Sequence, residues 1–202
     1  MPGGTYGSYY NYQSGAGIVS DIKIYGKDEY DEWRSLSNIF STTCHEFAHV
    51  IHCVYTPSRY REAMVRYLEA WARCFQYYVT MLEYEELGVL GSLNVVSTSN
   101  SIISPDLEYN FQLWNKEEYS LSYPTIFIDV LDNYNQSRYA YSIGTSYPVD
   151  NVYYPNMKAL ESIVLNSTTF DEVREELLLR ANLITPGLSR DDINTLFDYY
   201  EY

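Results

Sequence analysis

The residues able to do chemistry stand together at positions 45–49, which read His-Glu-Phe-Ala-His. Two histidines four apart on a helix lie one turn above each other and point the same way. Their ring nitrogens can converge on one cation. Glu46, beside the first of them, lies next to where water on that cation would sit. Zinc in such a site lowers the pKa of its water, and the neighbouring carboxylate takes the proton. This HExxH spacing is the motif of zinc-assisted peptide hydrolysis. It predicts zinc as cofactor, His45 and His49 as metal ligands, and Glu46 as catalytic base.

Catalytic zinc keeps three protein ligands and one open position. The chain has 3 histidines, all within 45–52, so His52 is the one left over. It follows His49 by three positions, and one straight helix does not easily bring three ligands to a tetrahedral ion. His52 is therefore read as a neighbour of the site or a core histidine, paired with Glu62. The third ligand should then be a carboxylate from a following helix. If the chain reverses near Pro57, an antiparallel hairpin pairs residues by reflection about that point. A metal near residue 47 then faces residue 67, which Glu62 and Glu69 bracket. Glu62, Arg66, Glu69, Arg73 and Gln76 form one polar stripe with i, i+4 pairs of opposite charge, as on a solvated face. The same stripe would serve equally well against a wet cleft.

The segment Thr43 to Cys53, TCHEFAHVIHC, resembles the active-site helix of the zincin metallopeptidases. That resemblance runs from the strand at residue 18 through the second helix and implies zinc, with the same roles for His45, Glu46 and His49. The metzincin extension is absent, since His52 and Tyr55 occupy its Gly and last His positions. Glu69 follows His49 by twenty positions (69 minus 49), a spacing similar to that of the gluzincins, whose third ligand is a Glu. The resemblance therefore implies Glu69 as the third metal ligand, within LEAWARCF. Ala70 replaces the usual Gly of that pattern, and Arg73 stands where thermolysin-like enzymes carry an Asp. An edge strand pairing with extended substrate is also implied for residues 18–25.

Attack on an amide creates an oxyanion, which a second donor besides the metal helps to stabilise. With no distant histidine, the candidates are a tyrosine hydroxyl, from the 139–154 loop or Tyr123, or Arg66 or Arg73. The 24 tyrosines supply a large pool.

The elements that must position these groups follow from periodicity. A strand is expected at 18–25, after an irregular Gly, Ser and Tyr-rich arm at 1–17. Trp33 and Leu36 are the buried candidates of the polar stretch that follows. A helix is expected at 38–55, with Phe47, Val50, Ile51 and Val54 as its apolar core face. Pro57 and Ser58 break the chain, and Ser58 caps a second helix at 59–87 that Gly88 ends. Its stripe is Met64, Leu68, Trp71, Phe75, Val79 and Leu82. Further helices are expected at 107–118, 124–135, 157–165, 170–180 and 190–200, with a tyrosine-rich loop at 136–156. The fold class expected is α+β, mainly α: zincin-like, with a small N-terminal sheet, a central antiparallel helical hairpin carrying the metal site, and a C-terminal helical half. One domain over 1–202 is expected, divided into the arm, the 18–104 catalytic part and the 105–202 helical half.

Composition bounds the partners. Lys+Arg is 13 against Asp+Glu 27, a net charge of -14. A nucleic-acid partner is not expected, since that needs a basic face. No apolar run has the length of a membrane span. Three cysteines without metal spacing should be buried and unpaired. The start shows no basic-then-apolar leader. Compartment and oligomeric state carry no sequence signal. A peptide or protein substrate is expected, and the chain's acidity would steer basic peptides toward it. The alternative is a catalytically silent zincin-like module that binds a protein partner; a third is a structural zinc site or plain helical scaffold.

Overall fold

The computed structural model describes residues 9–12, 20–27, 31–33, 36–86, 124–131, 149–154, 156–184 and 189–200. These residues are mainly helical. Strands β1 (Tyr9–Tyr12) and β2 (Ser20–Lys23) pair antiparallel, with Tyr9 opposite Lys23 and Tyr12 opposite Ser20. The strand ends at Lys23, before the expected end at 25, and its partner comes from the arm expected to be irregular. Tyrosine-rich segments favour extended backbone, which is the signal that composition hid there. Trp33, expected in the core, is 79% exposed. It closes a short excursion instead, bridged to Lys27, with the Lys27 ammonium 5.3 Å from its ring centroid. A Cβ on Gly26 would lie 3.1 Å from the Trp33 ring, so the indole lies close over that glycine.

Helix α1 (Leu36–Tyr55) runs to a tight reversal. Pro57 does not simply break the chain: it opens a short helix, α2 (Pro57–Glu62), at its first position. There the missing N–H costs nothing. Ser58 therefore lies inside this helix, and Thr56 is its N-cap residue. The second helix expected at 59–87 is interrupted. Ala63 adopts an extended backbone, φ −70 and ψ 145, and α3 (Val65–Glu86) starts afresh beyond it. The end expected at Gly88 lies outside the described residues, as does the helix at 107–118.

Helices α1 and α3 pack antiparallel. Gln76 donates to the Ser41 hydroxyl at 2.6 Å, and one turn further along α1 His45 meets Glu69. Moving along α1 toward its end thus moves back along α3. The face of α1 turned toward α3 carries small and polar side chains, Ser41, Ala48 and His52, all buried. They let the two backbones come close. The large residues expected in the core go the other way: Phe47 is 49% and Val54 53% exposed, with Val50 and Ile51 half-buried. Helix α3 differs in the same sense. Met64 and Leu82 of its expected stripe are exposed, while Tyr67, Leu68, Ala70, Trp71 and Cys74 are buried.

The remaining described helices are α4 (Ile126–Leu131), α5 (Met157–Leu165), α6 (Phe170–Ile184) and α7 (Arg190–Tyr200). Helix α4 is entirely buried. The Tyr67 ring lies 5.5 Å from Phe127 of α4, and its hydroxyl donates to the Val164 carbonyl of α5 at 2.8 Å. Tyr200 ends α7 in the core, donating to Asp129 at 2.5 Å and sharing a 2.9 Å bond with Thr125. That satisfies a carboxylate that burial alone would make costly. Ser189 caps α7: its hydroxyl accepts from the Asp191 and Asp192 amides. Before α6 the capping hydroxyl is Thr169, which accepts from the Glu172 amide while Glu172 accepts from Thr168. The pair resembles a capping box, with Glu172 reaching the amide one residue before the cap. Cys44, Cys53 and Cys74 are buried and form no disulfide.

Candidate metal centre

Helix α1 stacks His45 and His49 on the side facing α3, with ring centroids 5.1 Å apart. Glu69, from the second turn of α3, lies opposite both. His45 Nε2 is 3.0 Å from one of its carboxylate oxygens, and His49 Nε2 is 3.5 Å from the other. One donor atom from each of the three residues lies within 4.8 Å of the others. For metal–ligand bonds near 2.1 Å, donors on a tetrahedron stand roughly 3.4 Å apart. The two separations to Glu69 are of that order, each to a different oxygen of its carboxylate. Two imidazoles and one carboxylate, with Nε2 atoms turned inward, are a donor set suited to zinc and to neighbouring first-row divalent ions.

The protonation states suit a cation as well. Burial, with the charges of His49 and Arg73 adding to it, lowers the His45 pKa against its hydrogen bond to Glu69. Burial by itself would raise the Glu69 carboxyl. The hydrogen bonds and charges of His45 and His49 outweigh that and hold it down at about 2. At neutral pH His45 is neutral and Glu69 anionic, the forms that bind a metal.

The sequence-predicted residues thus divide clearly. His45, His49 and Glu69 come together. Glu46 is buried and engaged within the fold beside His45. Glu62, the other carboxylate that the hairpin reflection allowed, is exposed on α2. Tyr123 and most of the 139–154 loop lie outside the described residues. The polar stripe of α3 is not a solvated face, since Arg73 and Gln76 are buried and Glu69 is 19% exposed in its side chain.

His52 does not pair with Glu62. It is fully buried, and neither ring nitrogen has a hydrogen-bond partner among the described residues. Its neighbours are Tyr60 and Tyr67, at ring-centroid distances of 5.5 and 6.4 Å. Tyr60, expected on an unbroken helix at 59–87 and found on α2, also stands 6.3 Å from His49, a contact the sequence did not indicate. Burial, and then the charge of His49, push the His52 pKa from 6.5 down to about 4. A depressed folded-state pKa gives stability that is present above the unfolded value and is lost as pH falls. The metal-free protein should lose stability between about pH 6.5 and pH 4 as the unfolded chain takes up this proton. His52→Phe should flatten that dependence by up to about 3 kcal/mol in urea unfolding. An unchanged pH profile in this variant would show that His52 does not drive the loss.

No family model, curated protein or solved structure matches this chain. Among the described residues, no helix is long and apolar enough to cross a membrane. The site's own geometry therefore carries the functional reading.

Proposed function

We propose that this chain is a zinc-dependent metallopeptidase with a zincin-like, gluzincin-type centre. The observation behind this reading is the meeting of His45, His49 and Glu69 from two antiparallel helices, with Glu46 next in sequence to the first ligand. His45, His49 and Glu69 would hold the ion. Zinc bound there supplies Lewis acidity, polarising the scissile carbonyl and acidifying the nearby water.

The chain's own carboxylate handles the proton. Glu46 accepts it from the attacking water as the water oxygen bonds to the carbonyl carbon. It then gives the proton to the amine nitrogen as the C–N bond breaks. One water is consumed, one acid and one amine leave, and Glu46 returns to its starting form. The net charge of -14 favours approach of basic peptides over acidic ones.

The test is metal analysis combined with cleavage of a mixed peptide library. The expected result is one zinc per chain and cleavage that a chelator stops and added zinc restores. Stoichiometric zinc with no cleavage would favour the silent binding module. Absence of zinc binding would end the metal reading altogether.

A further inference from the structure

The oxyanion donor is the part of the site that the proposed function leaves without a residue. All three histidines are accounted for: two face Glu69, and His52 lies between the rings of Tyr60 and Tyr67. Arg66 and Arg73 share the face of α3 that carries Glu69. Arg66 is committed elsewhere. It donates to the Tyr200 carbonyl at the end of α7, at 2.5 Å, and its guanidinium lies 5.6 Å from the Phe170 ring centroid. That is the favourable place for a cation, against the carbonyls that a helix leaves unpaired at its end.

Arg73 is placed differently. It stands four residues after Glu69 and three before Gln76, so it lies on the same face as both. Glu69 reaches His45 and His49 on α1, and Gln76 reaches Ser41. Arg73 is bracketed by these two contacts and is itself 7% exposed. Its side chain therefore lies within the α1–α3 layer, between the levels of Ser41 and His45. Arg73 has interactions within the fold, and the several N–H donors of a guanidinium allow a further acceptor.

Charge balance gives this position a purpose. A divalent cation together with Arg73 outweighs the two carboxylates Glu46 and Glu69. The loaded centre keeps an excess of positive charge in a buried place. Such a centre favours an anionic oxygen over a neutral one, which is the difference between a transition state and a bound amide.

We propose that the Arg73 guanidinium is the anion-binding group of this centre, positioned to stabilise the oxygen that becomes negative when the carbonyl is attacked. This rests on the metal site of the proposed function, and on no particular substrate. During attack the carbonyl π pair moves onto oxygen as the water oxygen bonds to carbon, and the pair returns when the C–N bond breaks. Arg73 keeps its proton throughout.

The test uses the zinc-loaded full chain, with inorganic phosphate as a probe for an anionic oxygen, and needs no turnover. Arg73→Gln should weaken phosphate binding by about tenfold or more in calorimetry. It should also tighten zinc by about tenfold or more, because a like charge beside the ion has been removed. Arg73→Lys should keep the wild-type zinc affinity and recover part of the phosphate affinity. Arg73→Met, an uncharged stem, should repeat the glutamine result and covers a failure of that variant to fold. Unchanged phosphate affinity or unchanged zinc affinity in a folded uncharged variant overturns the assignment. So does failure of both uncharged variants to fold when Arg73→Lys folds with unchanged phosphate affinity. If wild-type protein binds zinc and phosphate as expected but cleaves no peptide, the peptidase reading fails and Arg73 stands. If wild type binds no zinc, both fall together.

Discussion

Glu46→Gln should retain stoichiometric zinc and lose peptide hydrolysis by about 10²–10⁴-fold in kcat/KM, the usual worth of a positioned acid–base group. The substitution keeps the shape of the side chain. Glu46 is 5% exposed and engaged with its surroundings, so an isosteric replacement is needed to leave packing intact. What glutamine cannot do is accept a proton at neutral pH. The loss should therefore appear in kcat, with little change in melting temperature. Metal content measured on the same sample separates this from loss of the ion. Full activity in a zinc-loaded Glu46→Gln protein would remove Glu46 as the base and with it the proposed proton path. Loss of zinc from this variant would show that Glu46 supports the metal rather than the reaction.

The parts of the site that the sequence made legible are those governed by rigid helical arithmetic. His45 and His49 share a face because a helix repeats every turn. Reflection about Pro57 left Glu62 and Glu69 bracketing the facing position, and of the two it is Glu69 that meets His45, despite the interruption at Ala63 and Met64. What the sequence hid depends on neighbours. No glycine or proline marks the interruption between α2 and α3, so propensity ran one helix through it. The Phe47, Val50, Ile51, Val54 stripe is a true helical stripe, but period alone does not say which stripe of α1 turns inward. The answer came from the small and polar side of the helix, where Ser41, Ala48 and His52 let α3 approach and the two ligands reach Glu69. The same contacts reversed the meaning of the polar stripe on α3. Its i, i+4 charges look like a solvated face, yet Arg73 and Gln76 are buried against α1. Strand β1 was missed for another reason: its pairing is backbone to backbone, and its tyrosines show no alternation.

The sharpest test of that helical arithmetic compares the two carboxylates it left open. Glu69→Gln should lower zinc affinity by more than the roughly 10–100-fold that loss of an outer-shell partner costs, because a charged donor is removed from the ion itself. Glu62→Gln, on the exposed side of α2, should leave zinc affinity unchanged. The metal-free proteins should differ too. Glu69 carries a carboxyl depressed from 4.5 to about 2, so its ionised form contributes stability that is present above about pH 4.5 and is lost as pH falls through about 2. Glutamine at this position keeps the hydrogen-bonding shape and removes the charge. Stability at neutral pH should drop, and the acid-induced loss across that window should shrink. Zinc titration followed by urea unfolding at several pH values reads both effects on the same variant. If Glu69→Gln binds zinc as wild type does, the ion is not held between α1 and α3. If Glu62→Gln loses zinc instead, the hairpin closes on the metal from α2, and the ligand set becomes His45, His49 and Glu62.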